Sequence, residues 1–340
     1  MIAALVLLAL LALSLLFNLG SIASLLVGES PSSVYGPGPR LQEVVLEDQS
    51  ARDKIAVLEI SGIIIGGAYG QGGHSIVDVI KAQLARAKED THVRAVILKV
   101  DSPGGEVLAS DEIYQLVETF QKDTGKPVVA SMGGVAASGG YYVSAPCRWI
   151  VANELTITGS IGVIMQSFNY RGLMNKVGVQ PQTYKSGRFK DMLSGSREPG
   201  DISPEEQQMV QTLIDEVYAR FRDVVAAGRK KANELNQDAG RSLRTDWKEF
   251  ADGRILSGNE AYRLGLVDEL GNFQTAVRRT LKLADVNKAN LVTYEQIVTF
   301  SDFLRMFGQS EARVVKLDVG LEVPKLKAGQ PYFLAPNYVQ

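Results

Sequence analysis

Arg94-Ala95-Val96-Ile97-Leu98-Lys99-Val100 runs directly into Asp101-Ser102-Pro103-Gly104-Gly105, and a segment of helical period, residues 107–120, follows. The first run is apolar and of strand length. The last sets Ile113, Leu116, Val117 and Phe120 at the i, i+3, i+4, i+7 spacing of one helix face. A strand that meets paired glycines and then a helix presents backbone N–H groups at the C-terminal edge of a sheet, where open α/β folds hold their ligands. The glycine pair lacks the spacing of a dinucleotide fingerprint or a phosphate loop, which leaves nucleotide binding without support. Read alone, it is also an ordinary turn.

The alternation continues on both sides. Residues 55–60, 127–131 and 148–152 read as further strands, and residues 76–87 as a helix. Such alternation predicts right-handed β-α-β crossovers in a largely parallel sheet. Beyond it, Ser203 caps a helix with Pro204 at its first position and Glu206 completing a capping box. Met209, Val210, Leu213, Ile214, Val217 and Phe221 give that helix one broad apolar face, expected to pack on its own domain, with an oligomer contact as the alternative.

With 340 residues the chain can bury a full core. It carries 36 basic against 38 acidic residues, a balance that gives no support to nucleic-acid binding. The single cysteine, Cys147, excludes an internal disulfide and reads as a packed thiol. Residues 1–28 hold no charged side chain. As a helix rising ~1.5 Å per residue they exceed the ~30 Å core of a bilayer and read as a retained anchor, with a cleaved signal peptide as the rival. No basic residue precedes the span; the short N-terminus before a large domain favours an N-in, C-out arrangement. Residues 29–52, rich in Ser, Pro and Gly, read as a flexible linker, residues 53–290 as the folded domain, and residues 291–340 as a C-terminal extension.

The chemistry gathers in Gly133-Gly134-Val135-Ala136-Ala137-Ser138-Gly139-Gly140-Tyr141-Tyr142, which sets one hydroxyl among small residues ahead of a helix start. Glycines let N–H groups approach a reacting carbonyl, and a helix N-terminus favours negative charge there. A serine nucleophile beside an oxyanion hole has those needs, although small residues also serve close helix–sheet packing. The hydroxyl-rich Leu155-Thr156-Ile157-Thr158-Gly159-Ser160-Ile161-Gly162-Val163 reads, unaided, as an edge strand with Thr and Ser facing water. Lys185-Ser186-Gly187-Arg188-Phe189-Lys190-Asp191 offers two amines. The two histidines, His74 and His92, have no orienting carboxylate motif beside them, whereas a lysine held neutral by its surroundings can also activate a serine.

With these segments, and with Asp252-Gly-Arg-Ile-Leu-Ser-Gly258 and Gly265-Leu-Val-Asp-Glu-Leu-Gly271, the chain resembles bacterial signal peptide peptidase A over residues 54–271, in the length of the short, single-repeat members. The resemblance implies an α/β fold of the Clp-protease/crotonase type behind one N-terminal transmembrane helix. It also implies a membrane-anchored serine peptidase of released signal peptides and similar hydrophobic peptides, with its catalytic domain on the extracytoplasmic side of a bacterial membrane. By this correspondence Ser138 is the nucleophile and Lys190 the general base, with Lys185 in that role only if the match slips by a short loop. Ser160 would orient the lysine amine, and Gly105 and Gly139 would donate oxyanion-hole N–H groups. No metal or cofactor is implied, and a ring-like homo-oligomer is, in which Ser138 and Lys190 can belong to different chains.

Two other classes compete. A crotonase-like enzyme of acyl-CoA thioesters would promote Glu106, beside Gly105, and a non-catalytic membrane scaffold would keep only the fold. The apolar Tyr332-Phe333-Leu334 reads as a docked terminal strand, or as a tail that enters the enzyme's own or a neighbour's site.

Overall fold

In the computed structural model, residues 38–67, 74–237, 239–297 and 331–334 are described. The chain divides into two units, Met1–Gly38 and Pro39–Gln340, and the fold is that of the second. Strands β1 (Leu41–Glu47) and β2 (Lys54–Ser61) precede helix α1 (Ile76–Glu89). Next come β3 (Val93–Ser102), the short β4 (Gly104–Glu106) and α2 (Val107–Thr124). β5 (Val128–Ala136) leads into α3 (Gly139–Ser144), then β6 (Trp149–Ala152) and β7 (Ile157–Gly159). The short α4 (Arg171–Lys176) and the long α5 (Pro204–Leu235) follow. The rest is β8 (Ile255–Ser257), α6 (Gly258–Leu264), β9 (Glu269–Leu270), α7 (Phe273–Leu283), β10 (Asn290–Gln296) and β11 (Tyr332–Leu334).

The main sheet runs β1-β10-β2-β3-β5-β6-β9. Every neighbouring pair is parallel except β1 with β10. Side chains alternate between two buried faces, which is why the strands read as unbroken apolar runs. Ala56, Leu58, Ile60, Val96, Leu98 and Val100 join the larger core with residues of α1, α2, α3, α5 and α6. Ile55, Val57, Ala95 and Ile97 meet Val277 of α7 on the opposite face. Each of these side chains contributes roughly 1.5–3 kcal/mol by leaving water. The expected α/β architecture is present, and the capping boxes of Ser75 with Asp78 and Ser203 with Glu206 start α1 and α5.

Several boundaries differ from the sequence reading. Residues 29–52 are not linker throughout, because β1 lies within them and pairs with β10, about 250 positions downstream. Its pattern shows no clean alternation, with Val45 and Leu46 both about half exposed, so only its distant partner reveals it. The start of the extension at 291 likewise falls inside β10, which pairs with β2 in the middle of the sheet. The apolar face of α5 divides: Phe221, Val224 and Val225 are buried, whereas Met209 and Leu213 stay exposed. Residues 1–28, read as the anchor, lie outside the described residues, and among those described no helix is long and apolar enough to cross a membrane.

Candidate active site

Ser138 occupies the turn between β5 and α3 with φ 54° and ψ −116°, a backbone region that costs a non-glycine residue about 1–3 kcal/mol. The surroundings hold it there. The Ala137 N–H donates to the Ser102 carbonyl at 3.1 Å, and the Ser138 N–H donates to the Gly159 carbonyl at 2.8 Å. Close approach requires the next glycines, since a Cβ on Gly140 would stand 2.6 Å from the Ser102 oxygen. The Ser138 side chain is fully buried and its Oγ has no hydrogen-bond partner among the described residues. A buried hydroxyl without a partner is costly in a folded protein and marks a site kept for chemistry.

Gly105 and Gly139 lie side by side. A Cβ built on Gly139 would sit 3.0 Å from the Gly105 nitrogen, and one built on Gly104 would sit 2.6 Å from the Gly139 nitrogen. The strand β4 that carries Gly105 is held from below by the loop before α1, through Ile64 N–H to Gly104 O at 2.9 Å and Glu106 N–H to Ile64 O at 2.7 Å. The Glu106 carboxylate accepts the Gly66 N–H at 2.8 Å and anchors that same loop.

The other edge of β4 is taken by the chain's own C-terminal segment. β11 pairs antiparallel with β4, Phe333 opposite Gly105. On its far side Tyr332 exchanges both backbone hydrogen bonds with Ile164, at 3.0 and 3.1 Å. Alternation along the strand therefore turns the N–H and C=O of Phe333 toward Gly105. The Phe333 oxygen lies 1.9 Å from the point where a Gly104 Cβ would stand, the point that is also 2.6 Å from the Gly139 nitrogen. A peptide carbonyl thus rests beside the two N–H groups expected to bind an oxyanion. The docked strand, one of the two readings of the tail, is present, and it lies against the segment that carries Gly105.

Thr156, Thr158 and Ser160 do not face water as an edge strand would have them. All three are buried. The Thr156 hydroxyl donates to Gly133 O at 2.8 Å and the Thr158 hydroxyl to Ala136 O at 2.6 Å, which fastens the segment along the end of β5. Ser160 has φ 50° and its N–H donates to Arg254 O at 2.8 Å; its hydroxyl makes no hydrogen bond among the described residues. Beside it opens a cleft of ≈ 550 Å³ lined by Ser160, Gly162, Val163, Ile164, Asp215, Tyr218, Asp252 and neighbouring residues, none of them basic.

The two lysines are placed differently. Lys185 is committed, its amine donating to Asp191 Oδ1 at 2.6 Å and to Arg188 O at 3.0 Å. Lys190 is exposed, and its amine has no partner among the described residues. The single chain brings Ser138, Gly105, Gly139 and Ser160 to one edge of the sheet and does not bond Lys190 to either serine. The lysine sits in a stretch, residues 162–205, in which no residue is buried.

Cys147 is buried as expected, and burial pushes its thiol up to about 12, so it is inert at neutral pH. Beneath α3, Arg229 of α5 forms a fully buried ion pair with Asp268, whose carboxylate also accepts the Ile150 N–H. This pair was not foreseen, since neither residue stands out in sequence. Among the described residues no group of three His, Cys, Asp or Glu side chains is placed to hold a metal ion.

The peptidase family S49 model matches residues 120–287, and a Clp protease model matches residues 48–149. A putative protease of Synechocystis sp. is 42% identical over 248 residues, covering 72% of this chain and 80% of that protein. A putative signal peptide peptidase SppA of Enterococcus faecium is 36% identical over 269 residues, 78% of this chain and 73% of its own. Protease 4 of Haemophilus influenzae is 34% identical over 260 residues, 76% of this chain and 39% of that longer one. Glu106, which the acyl-CoA reading would promote, is engaged as a loop anchor. The strained serine turn, the paired glycine N–H groups and these relatives agree: the chain belongs to peptidase family S49 and is a serine peptidase.

Proposed function

We propose that the protein is a membrane-anchored endopeptidase that cleaves released signal peptides and similar hydrophobic segments with a Ser138–Lys190 dyad. The observation that carries this reading is the strand at residues 332–334, which lies between β4 and Ile164 with its carbonyl at the Gly105 and Gly139 N–H groups. A substrate lies there in the same way, as an added strand. Ser138 Oγ attacks the carbonyl carbon while the Lys190 amine takes the hydroxyl proton. The two N–H groups hold the oxyanion, at ~3–4 kcal/mol for a good donor. Lys190 then protonates the leaving amine, and water hydrolyses the ester to free Ser138. Residues 1–28 hold the enzyme where its substrates reside, with the catalytic domain outside the cytoplasm.

The lysine comes from a second copy of the chain. Lys190 is exposed and has no partner among the described residues, and no basic residue is among those lining the cleft beside Ser160. The stretch that carries Lys190 exposes Phe168, Tyr170, Leu173, Val177 and Tyr184, the kind of surface a subunit contact covers. In the assembled ring Ser160 receives the amine and orients it toward Ser138.

The test compares wild type with Ser138→Ala, Lys190→Ala and Lys185→Ala on a synthetic signal peptide in detergent. The first two are expected to abolish cleavage and the third to retain it. Equal mixing of the two inactive variants is expected to restore about a quarter of wild-type activity, the fraction of sites pairing one intact serine with a neighbour's intact lysine. Cleavage by Ser138→Ala sinks the serine mechanism, and a mixture that stays inactive sinks the shared dyad.

A further inference from the structure

Ser102, the last residue of β3, is fully buried and stands between the two halves of the site. Its carbonyl accepts the Ala137 N–H, one residue before Ser138, at 3.1 Å. Its hydroxyl accepts the Gly104 N–H, one residue before Gly105, at 3.1 Å, and this is the hydroxyl's one hydrogen bond among the described residues. Pro103 lies between, with a fixed φ and no N–H of its own to compete for the oxygen. Gly104 needs such a hold. Its φ is 106°, and a glycine has no Cβ to restrict how its peptide planes turn. A side chain cannot supply the restriction, because a Cβ there would stand 2.6 Å from the Gly139 nitrogen. The Gly104 carbonyl accepts the Ile64 N–H at 2.9 Å, so both polar groups of this glycine are engaged. In a trans peptide the N–H points opposite to the C=O. The Gly105 N–H is therefore turned away from Ile64, toward the edge of β4 that the substrate strand is proposed to take.

We propose that Ser102 is a positioning residue of the hydrolysis: through Gly104, its hydroxyl holds the Gly105 N–H in line for the oxyanion. The proposal rests on the Ser138 reading of the site and deepens it. The bond from Gly104 to Ser102 exists before any peptide binds, so it adds nothing to substrate affinity. It acts when negative charge develops on the carbonyl oxygen, because a donor already aimed at that oxygen needs no reorganisation. Without the hydroxyl, the Gly104 N–H is left buried beside an apolar group, and the peptide unit that carries the donor gains freedom to turn. The effect belongs to the transition state rather than to binding.

The test compares full-length wild type in detergent with Ser102→Ala and with Ser102→Cys, which keeps the side chain's shape but replaces the oxygen by a poor acceptor. Each is assayed for kcat and KM on a synthetic hydrophobic peptide. Each is also titrated with a peptide aldehyde, to which a serine adds to form a tetrahedral oxyanion, and with the matching alcohol, which binds without forming one. The ratio of the two inhibition constants is taken on one protein sample, so the fraction of competent sites cancels. Both variants are expected to lower kcat about tenfold with KM within about twofold of wild type. The aldehyde should weaken by the same factor while the alcohol keeps its affinity. Wild-type kcat in both variants, or equal losses for aldehyde and alcohol, overturns the proposal. Failure of both variants to fold overturns it too, since Ser102 is then a residue of the fold alone. Ser138→Ala run alongside separates the two levels. If it still cleaves, the reading of the site fails and this proposal with it; if it is inactive while the Ser102 variants match wild type, only the role of Ser102 is refuted.

Discussion

Replacing Phe333 with alanine should convert a largely occluded enzyme into an open one. The segment 332–334 pairs with β4 where the proposed substrate strand would lie, so on that reading peptide cleavage in the full chain requires that the segment first leave. Phe333 is fully buried between Tyr142 and Phe221, and an aromatic residue buries roughly 150–250 Å². At ~25 cal/mol per Å² this is at most about 4–6 kcal/mol, of which truncation to alanine removes about 3 kcal/mol once the remaining methyl and backbone contacts are allowed for. A loss of about 3 kcal/mol shifts the docking equilibrium roughly 150-fold toward the open form. If the segment is docked about ten times as often as it is open, the rate rises about tenfold; at about a hundred, it rises about sixtyfold. The assay is kcat/KM on an internally quenched signal peptide well below KM, for wild type and Phe333→Ala. Because the segment is tethered, wild-type inhibition should not change on dilution, and a synthetic peptide of residues 329–340 should inhibit Phe333→Ala only at roughly millimolar concentration. Equal kcat/KM for both proteins, or for a chain lacking residues 329–340, refutes the reasoning.

Gly139→Ala should lower kcat by about 10²–10³ with far less effect on KM, because its Cβ would stand 2.7 Å from Ser110 Oγ and 3.0 Å from Gly105 N and push the two N–H donors apart; steady-state kinetics on a protein with unchanged circular dichroism checks this. Arg229→Met should cost about 3–5 kcal/mol, read as a lowered urea midpoint, because it leaves Asp268 charged and buried without its cation. The Glu206 carboxyl is held at about 2 by the Arg197 guanidinium, aided by the Ser203 N–H. Its folded value lies below the unfolded one, so its stabilisation is complete above the unfolded carboxylate range and is lost as pH falls toward 2. Hydrogen exchange in residues 197–210 should accelerate between about pH 4.5 and 2 in wild type, and Glu206→Gln should show the fast exchange already at pH 6.

The central strands were legible because both faces of a parallel sheet are buried and such strands read as continuous apolar runs. The start of α5 was legible because Ser203 carries its capping partner three residues on, whereas the same box at Ser75 was found only in the structure. β1 and β10 were not, since each is identified by its partner across nearly the whole chain. The buried hydroxyls of Thr156 and Thr158 were misjudged as solvated because their acceptors, the carbonyls of Gly133 and Ala136, belong to a neighbouring segment that bends past them. The divided face of α5 has the same cause. Periodicity reports that a face is apolar, and only the tertiary neighbours decide which part of it is covered.

The site itself splits along a physical line. Its expected oxyanion-binding half consists of backbone N–H groups and one hydroxyl, all fixed by sheet register and by glycines whose absent Cβ atoms permit contact. A strained φ at Ser138 persists because strand ends and loops on every side over-determine it. Lys190, the proposed base, lies in residues 162–205, where no residue is buried and little packing supports the local structure. Among the described residues no lysine is bonded to Ser138, and the C-terminal strand pairs with β4 where the proposed substrate strand would lie. A hydrolase whose substrates are ordinary peptides benefits from both conditions. On the proposed reading, assembly supplies the base and displacement of the strand admits the substrate. The two requirements act on different steps, so a variant that opens the groove should still depend on Lys190 of a neighbouring copy, and a variant that loses Lys190 should stay inactive however freely its groove is open.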